Sequence, residues 1–210
     1  MKNIVLKSLV ASSLLCSSLL ADSFVGVFGG YSLKSEFEIK DDSGLDREEG
    51  DIDKLKLDDK KLNLGVKAGY DFDSFRAYGA YRYNFKAKDS YFIDNFLGNM
   101  EWKSHDFLIG ADYTPNITDS FKFSLGIYGG ISRLNMRLEG IDYDDNSKDS
   151  FSKDKTGFIY GAKIGGIYEL DENNEVEFGY QIDESDYGKI EDVKIKVRDH
   201  GLYLGYNYKF

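Results

Sequence analysis

From Lys61 to Phe72 the chain reads "KLNLGVKAGYDF". Its even positions are Leu62, Leu64, Val66, Ala68, Tyr70 and Phe72, and its odd positions are Lys61, Asn63, Gly65, Lys67, Gly69 and Asp71. A strict period of two marks a β-strand with one apolar and one polar face. The pattern recurs along the chain. Val25, Val27, Tyr31, Leu33 and Phe37 share one face of residues 24–38, and Phe75, Ala77, Gly79, Tyr81, Tyr83 and Phe85 one face of 75–87. Phe107, Ile109, Ala111 and Tyr113 follow, then Phe121, Phe123, Leu125, Ile127 and Ile131. Residues 156–170 align Phe158, Tyr160, Ala162, Ile164, Tyr168 and Leu170, and the seventh run aligns Val176, Phe178, Tyr180 and Ile182. "GLYLGYNYKF" (201–210) supplies the last of eight strands, with Leu202, Leu204, Tyr206, Tyr208 and Phe210 on one face.

The connections alternate too. Asp73-Ser74, "PNITD" (115–119) and "DENN" (171–174) are short and rich in turn formers. The other four segments, roughly 39–60, 88–101, 139–154 and 184–195, read as long charged loops. Short turns at one end, long polar loops at the other and an even strand count predict an all-β fold, an eight-stranded antiparallel up-and-down transmembrane β-barrel.

A soluble barrel is the competing architecture, and the polar face decides between them. A soluble barrel turns its apolar face inward. Here the polar face is dominated by Gly, small residues and opposed charges, which suit a crowded interior, whereas large aromatics gather at the strand ends of the apolar face, where lipid meets water. The alternation slips in two places: beyond Ile131 the large residues become Leu134, Met136 and Leu138, and before His200 they are Val193, Ile195 and Val197. Each slip lies at the loop end of its strand, so a bulge or a strand rising above the membrane accounts for it.

Composition adds a compartment. Residues 1–21, "MKNIVLKSLVASSLLCSSLLA", carry Lys2 and Lys7, then an apolar and small run, then Ala21, the layout of a secretory signal peptide. The run is too short for a spanning helix. Leu19 fits the small-x-small cleavage pattern poorly, and Leu15 before Cys16 argues against a lipoprotein signal. The expected division is a signal peptide at 1–21 and a barrel domain at 22–210. Cleavage would remove the single Cys and take the formal charge from -10 to -12 by losing two Lys. A mature chain of that charge, with no thiol, is a poor partner for nucleic acid.

The signal peptide, the eight alternating strands and the closing "YNYKF" resemble the small eight-stranded outer-membrane proteins, a group that includes the OmpA membrane domain, OmpX and the opacity proteins. The resemblance covers 22–210 and implies a Gram-negative outer membrane, contact with its lipid and lipopolysaccharide, and a final strand (Tyr206, Tyr208, Phe210) read by the outer-membrane assembly machinery. The resemblance to OmpA is to its membrane domain alone, so peptidoglycan anchoring is not implied.

Inside such a barrel, eight strands leave room for little more than side chains. The inward charges, Lys67, Asp71, Arg76, Arg82, Lys86, Asp106, Asp112, Lys122, Lys163, Glu169, Glu177, Asp183 and Lys209, are expected to form a network of ion pairs, since buried charges must be paired. A gated ion path through the same charges is the alternative. The segment 40–60 holds nine acids against five bases, and "DYDDNSKD" (142–149) is also acidic, but the spaced calcium-loop motif is absent, so solvated loops without metal or cofactor are expected. Lys103, Arg133, Arg137 and Arg198 stand near the loop ends, within reach of lipid phosphates. Enzymes on this architecture, lipid A acyltransferases, deacylases and outer-membrane proteases, generally use a His base. Only His105 and His200 occur, both on the outward face, and neither "KSHDF" nor "RDHGL" reproduces the deacylase His-x-Ser-Asn run. The sequence therefore favours a monomeric structural and surface-display protein whose loops meet host or cell-surface ligands. A narrow porin-like channel, and less so a lipid-modifying enzyme, are the alternatives.

Overall fold

The computed structural model describes residues 22–41, 54–93, 96–142, 147–190 and 193–210. The expected signal peptide lies outside them. The strands are β1 (Asp22–Asp41), β2 (Lys54–Asp71), β3 (Phe75–Ile93), β4 (Phe96–Tyr113), β5 (Asn116–Thr118), β6 (Phe121–Asp142), β7 (Ser147–Glu169), β8 (Asn174–Ile190) and β9 (Val193–Lys209). β5 is a three-residue strand inside the "PNITD" turn, paired to the start of β6. The other eight pair antiparallel with their neighbours, and pairings of β1 with β9 and of β4 with β6 close the ring.

The eight wall strands run 17 to 23 residues, whereas about 9–11 tilted residues cross a bilayer. The surplus lies at one end. Outward-facing aliphatics such as Val27, Leu64, Val66, Ile109, Ile127 and Leu204 form the middle of a lipid-facing band. Tyr70, Phe75, Tyr113, Tyr168 and Phe210 flank it at the short-turn end, and Tyr31, Phe85, Phe107, Phe158 and Tyr160 at the other. Beyond that second belt the strands continue, and this corrects the sequence reading of the four connections. Of these segments, 39–41, 54–60, 88–93, 96–101, 139–142, 147–154, 184–190 and 193–195 are strand, and 42–53, 94–95, 143–146 and 191–192 fall outside the described residues.

The closed ring does not persist to the strand tips. Among the described residues, β2–β3 pairing ends at Asn63↔Asn84, and β7–β8 pairing ends at Phe158↔Asp186. The other seams continue, for example to Lys40↔Lys54 between β1 and β2 and to Asp142↔Ser147 between β6 and β7. Above the membrane the wall therefore parts into two four-stranded sheets, β2–β1–β9–β8 and β3–β4–β6–β7. Ala87, Met100, Trp102, Leu134 and Met136 of the second sheet pack against Tyr187, Ile195 and Val197 of the first in one buried cluster.

This cluster explains the two slips. The β4–β6 and β6–β7 registers run unbroken through Leu134 and Met136, and β9 keeps odd residues inward from Ile195 to Asn207. The strands rise above the membrane without a bulge there. The faces keep their sense while their chemistry inverts, because water replaces lipid outside and the interior turns apolar. Register shifts occur elsewhere, at Ser32–Ser35 in β1, Asn84–Ala87 in β3 and Asp186–Lys189 in β8.

Inner-wall glycines answer to close approach. A Cβ at Gly110 would come within 2.4 Å of the Tyr78 ring, and one at Gly65 within 2.4 Å of the Phe28 ring. The aromatic ring of one strand lies on the bare backbone of the next, which fills a narrow lumen without leaving a hole.

Candidate functional site: the lumen and its apolar cap

The inward row of each strand stacks the charges in tiers. Nearest the short turns, Arg76 on β3 bonds Asp71 on β2 (2.6 Å) and Glu175 on β8 through two contacts, 2.5 and 2.7 Å. Asn207 donates to the same Glu175 at 2.7 Å. Lys122 and Lys209 converge on Glu169, at 3.1 and 2.9 Å. In the middle tier Lys67 meets Glu177 across the lumen at 2.5 Å, and Lys163 meets Asp112 at 2.9 Å. Aromatic faces flank these ammonium groups: Lys163 lies 4.8 Å from the Tyr78 ring centre and Lys67 5.6 Å from that of Phe24.

In the upper tier Arg82 bridges Asp106 (2.8 Å) and Asp183 (2.9 Å), so β3, β4 and β8 are tied by one guanidinium. Tyr128 donates to Asp183 at 2.8 Å, Asn84 to Asp106 at 2.6 Å, and Ser132 to Asp106 at 2.6 Å. Lys61 on β2 reaches Asp199 on β9 at 2.5 Å. Ser132 also meets the Tyr187 hydroxyl at 2.7 Å, linking the upper tier to the apolar cluster above it.

Of the charges expected inside, Lys67, Asp71, Arg76, Arg82, Asp106, Asp112, Lys122, Lys163, Glu177 and Asp183 are buried on the inner wall, with Glu169 and Lys209 at its short-turn rim. Lys86 is the exception and a correction. The bulge between Asn84 and Ala87 places both Phe85 and Lys86 outward, and the Lys86 ammonium pairs with Glu101 on the outer surface. Lys61, Glu175 and Asp199 are lumen partners the sequence reading did not include; each sits on the inward parity of its strand, a signal that could have found them.

Among the described residues the lumen holds little space. The void among Lys67, Tyr78, Tyr128, Lys163, Glu177 and Tyr203 is about 30 Å³, room for one or two waters. Above it sits the apolar cluster, where Trp102 is 2% and Leu134 1% exposed. Two dissimilar seals thus succeed one another along the axis.

Outside, the two histidines each meet a tyrosine of the adjoining strand: His105 Nδ1 lies 2.7 Å from the Tyr81 hydroxyl, and His200 pairs with Tyr180. Above the belt the outward face carries ion pairs. Glu184 accepts from Lys196, Arg198 and Tyr160, and these contacts, the Lys196 hydrogen bond foremost, hold its carboxyl down to about 2. Lys86 and Lys88 likewise hold the Glu101 carboxyl below the usual range. Tyr206 and Tyr208 face outward on β9, and Phe210, one residue past its end, is exposed. Of the acidic stretches at 40–60 and 142–149, residues 42–53 and 143–146 lie outside the described residues.

A closed antiparallel ring, lipid-facing on the outside and polar within, defines a transmembrane β-barrel of the outer-membrane class. The family model for the outer membrane protein beta-barrel domain matches residues 8–210, and the chain belongs to that family. It is a protein of the Gram-negative outer membrane. Among solved structures it is similar to Ail, the attachment invasion locus protein of Yersinia pestis, with 18% identity over 90% of this chain and 99% of that one, and TM-score 0.46. It is also similar to Neisserial surface protein A (17% identity, 90% and 97% covered, TM-score 0.47) and to the outer membrane protein OprG of Pseudomonas aeruginosa (19%, 90% and 96%, TM-score 0.43). No curated protein matches the chain.

Proposed function

We propose that the protein is a non-conducting, monomeric outer-membrane barrel whose role is structural and display: it holds a two-sheet β platform and its connecting segments above the cell surface for contact with other cells or host ligands. The observation that carries this reading is how the described residues fill the axis, with paired charges through the membrane and an apolar cluster above. A permeation path would need room for water around an ion, and it would need breakable pairs; among the described residues seven inward cations and eight carboxylates bond across strands that the closed ring holds rigid. Enzymatic action is disfavoured because each histidine faces lipid or the interface and is engaged by a tyrosine hydroxyl. The outward Tyr206 and Tyr208 and the exposed Phe210 suit a strand read by the assembly machinery.

The test uses cells. A strain lacking the protein should keep its uptake of small solutes while losing attachment to surfaces or partner cells, and an epitope placed at 143–146 should be readable by antibody on intact cells. Reduced uptake with unchanged attachment would overturn the reading in favour of a channel.

A further inference from the structure

Charge balances on the inner wall tier by tier, except in the last. At the short-turn end Asp71, Glu169 and Glu175 meet Arg76, Lys122 and Lys209, and in the middle Asp112 and Glu177 meet Lys67 and Lys163. In the upper tier three carboxylates, Asp106, Asp183 and Asp199, meet two cations, Arg82 and Lys61. Among the described residues one buried negative charge is left over. A carboxylate buried without a counter-charge takes up a proton rather than bear the cost of desolvation.

The left-over charge falls on one cross-strand pair. Asp183 on β8 stands directly opposite Asp199 on β9, and both are buried. Like charges directly opposite in an antiparallel pair repel, and two carboxylates sharing a site do not both ionise freely. The row stands above the hydrocarbon, since the outward neighbours Glu184 and Arg198 form an ion pair at 2.7 Å.

The groups around the pair come from every adjoining strand. Arg82 of β3 and the Tyr128 hydroxyl of β6 donate to Asp183, and Lys61 of β2 donates to Asp199. Asp106 of β4 shares the Arg82 guanidinium, Gly161 of β7 is in register with Asp183, and the Tyr187 hydroxyl of β8 reaches the tier through Ser132. On β1 Ser35 is in register with Asp199, and on β2 Asp59 is in register with Ser35. The Ser35 hydroxyl and Asp199 Oδ1 are buried, and neither makes a hydrogen bond among the described residues. A proton on Oδ1 turns an idle acceptor into a donor, with acceptors on both flanking strands, Asp183 on β8 and Ser35 Oγ on β1.

We propose that Asp183 and Asp199 hold one proton between them at neutral pH, and that this proton closes the upper tier beneath the apolar cluster, which loosens when the proton is lost in alkali. Ser132, bonded to both Asp106 and Tyr187, carries the change to the cluster. The shared proton bears on the seal and is independent of the display role.

Infrared spectroscopy of the protein in an ester-free detergent at neutral pH reads the proton directly. Wild type should show the C=O stretch of a protonated carboxyl. Asp183→Asn and Asp199→Asn, which keep an acceptor for Arg82 and Lys61, should each lose it, and Glu184→Gln on the outer surface should retain it. The native pair then binds one proton more than the unfolded chain, so stability falls as pH rises. Relative to Asp199→Asn, the wild-type folding equilibrium should decline by up to about tenfold per pH unit between neutrality and about pH 9. Acrylamide quenching of Trp102 should rise over the same range in wild type and not in Asp199→Asn. Heat-modifiable migration verifies folding of each variant; should one Asn variant fail to fold, the other decides. A wild-type spectrum without the band, or a band kept in both Asn variants, would overturn the shared proton, as would a flat ratio of the two folding equilibria. Quenching that stays level in wild type would overturn its part in the seal.

Discussion

Arg76 on β3 and Glu175 on β8 face each other across the lumen and share two hydrogen bonds of 2.5 and 2.7 Å, with Asp71 held by the same guanidinium. One side chain thus links opposite walls of the ring. Arg76→Met strands two buried carboxylates, and breaking a buried pair from one side costs about 3–5 kcal/mol. The expected outcome is a lower urea midpoint for unfolding from lipid vesicles, followed by heat-modifiable migration. A double-mutant cycle with Glu175→Gln should show coupling, because the second change relieves part of what the first left unpaired.

Trp102 is the single tryptophan of the chain and lies in the apolar cluster above the membrane. Its emission should be blue-shifted and resist acrylamide in the folded protein. Trp102→Ala should cost about 3–5 kcal/mol as a core truncation, yet leave the ion-pair tiers intact. A solvent-quenched Trp102 in the folded state would contradict the two-sheet packing.

The glycines divide into two kinds with opposite expectations. Gly110→Val would drive atoms into the Tyr78 ring 2.4 Å from the Cβ position, whereas Gly79→Ala meets open space. The first should assemble poorly and the second near wild-type yield, measured by the folded fraction in outer-membrane extracts.

Glu184 supplies a pH signature. Its carboxyl is depressed from an ordinary 4.5 to about 2 in the folded state, chiefly by the Lys196 hydrogen bond. A depressed acid stabilises fully above its unfolded value and loses that contribution as pH falls through the folded one. The difference in unfolding midpoint between wild type and Glu184→Gln should hold above about pH 5 and shrink towards pH 2. A difference that grows on acidification would contradict the assignment.

The sequence disclosed the membrane-spanning half more fully than the upper half, for a physical reason. Where lipid bathes the wall, outward means apolar, and runs such as Leu62 to Phe72 read directly as strand. Above the membrane water bathes the same wall, so Arg133, Asn135 and Arg137 alternate with Leu134 and Met136, and the reversal looks like a slip or a charged loop. The lumen charges followed from parity except where the backbone broke it: the Phe85–Lys86 bulge leaves no mark in the residue pattern. Lys61, Glu175 and Asp199 were legible by parity, each lying at or next to the end of an alternating run.

The bulge also gives a compact test of that account. Deleting Lys86 restores simple alternation between Asn84 and Ala87, so the variant should fold with Ala87 still in the apolar cluster and lose only the Lys86–Glu101 contact. Hydrogen exchange along β3 and β4 reads this directly; loss of protection throughout Ala87–Ile93 would contradict it.

The central claim is that the axis is sealed twice. Single-channel recording of the purified protein in planar bilayers tests it most directly. The expected result is no conductance steps at neutral pH, for wild type and for Trp102→Ala alike, since the tiers of Arg76, Lys67 and Arg82 remain closed. Stable, reproducible steps from the wild-type protein, altered by substitution at Arg82 or Lys163, would contradict the sealed-barrel account.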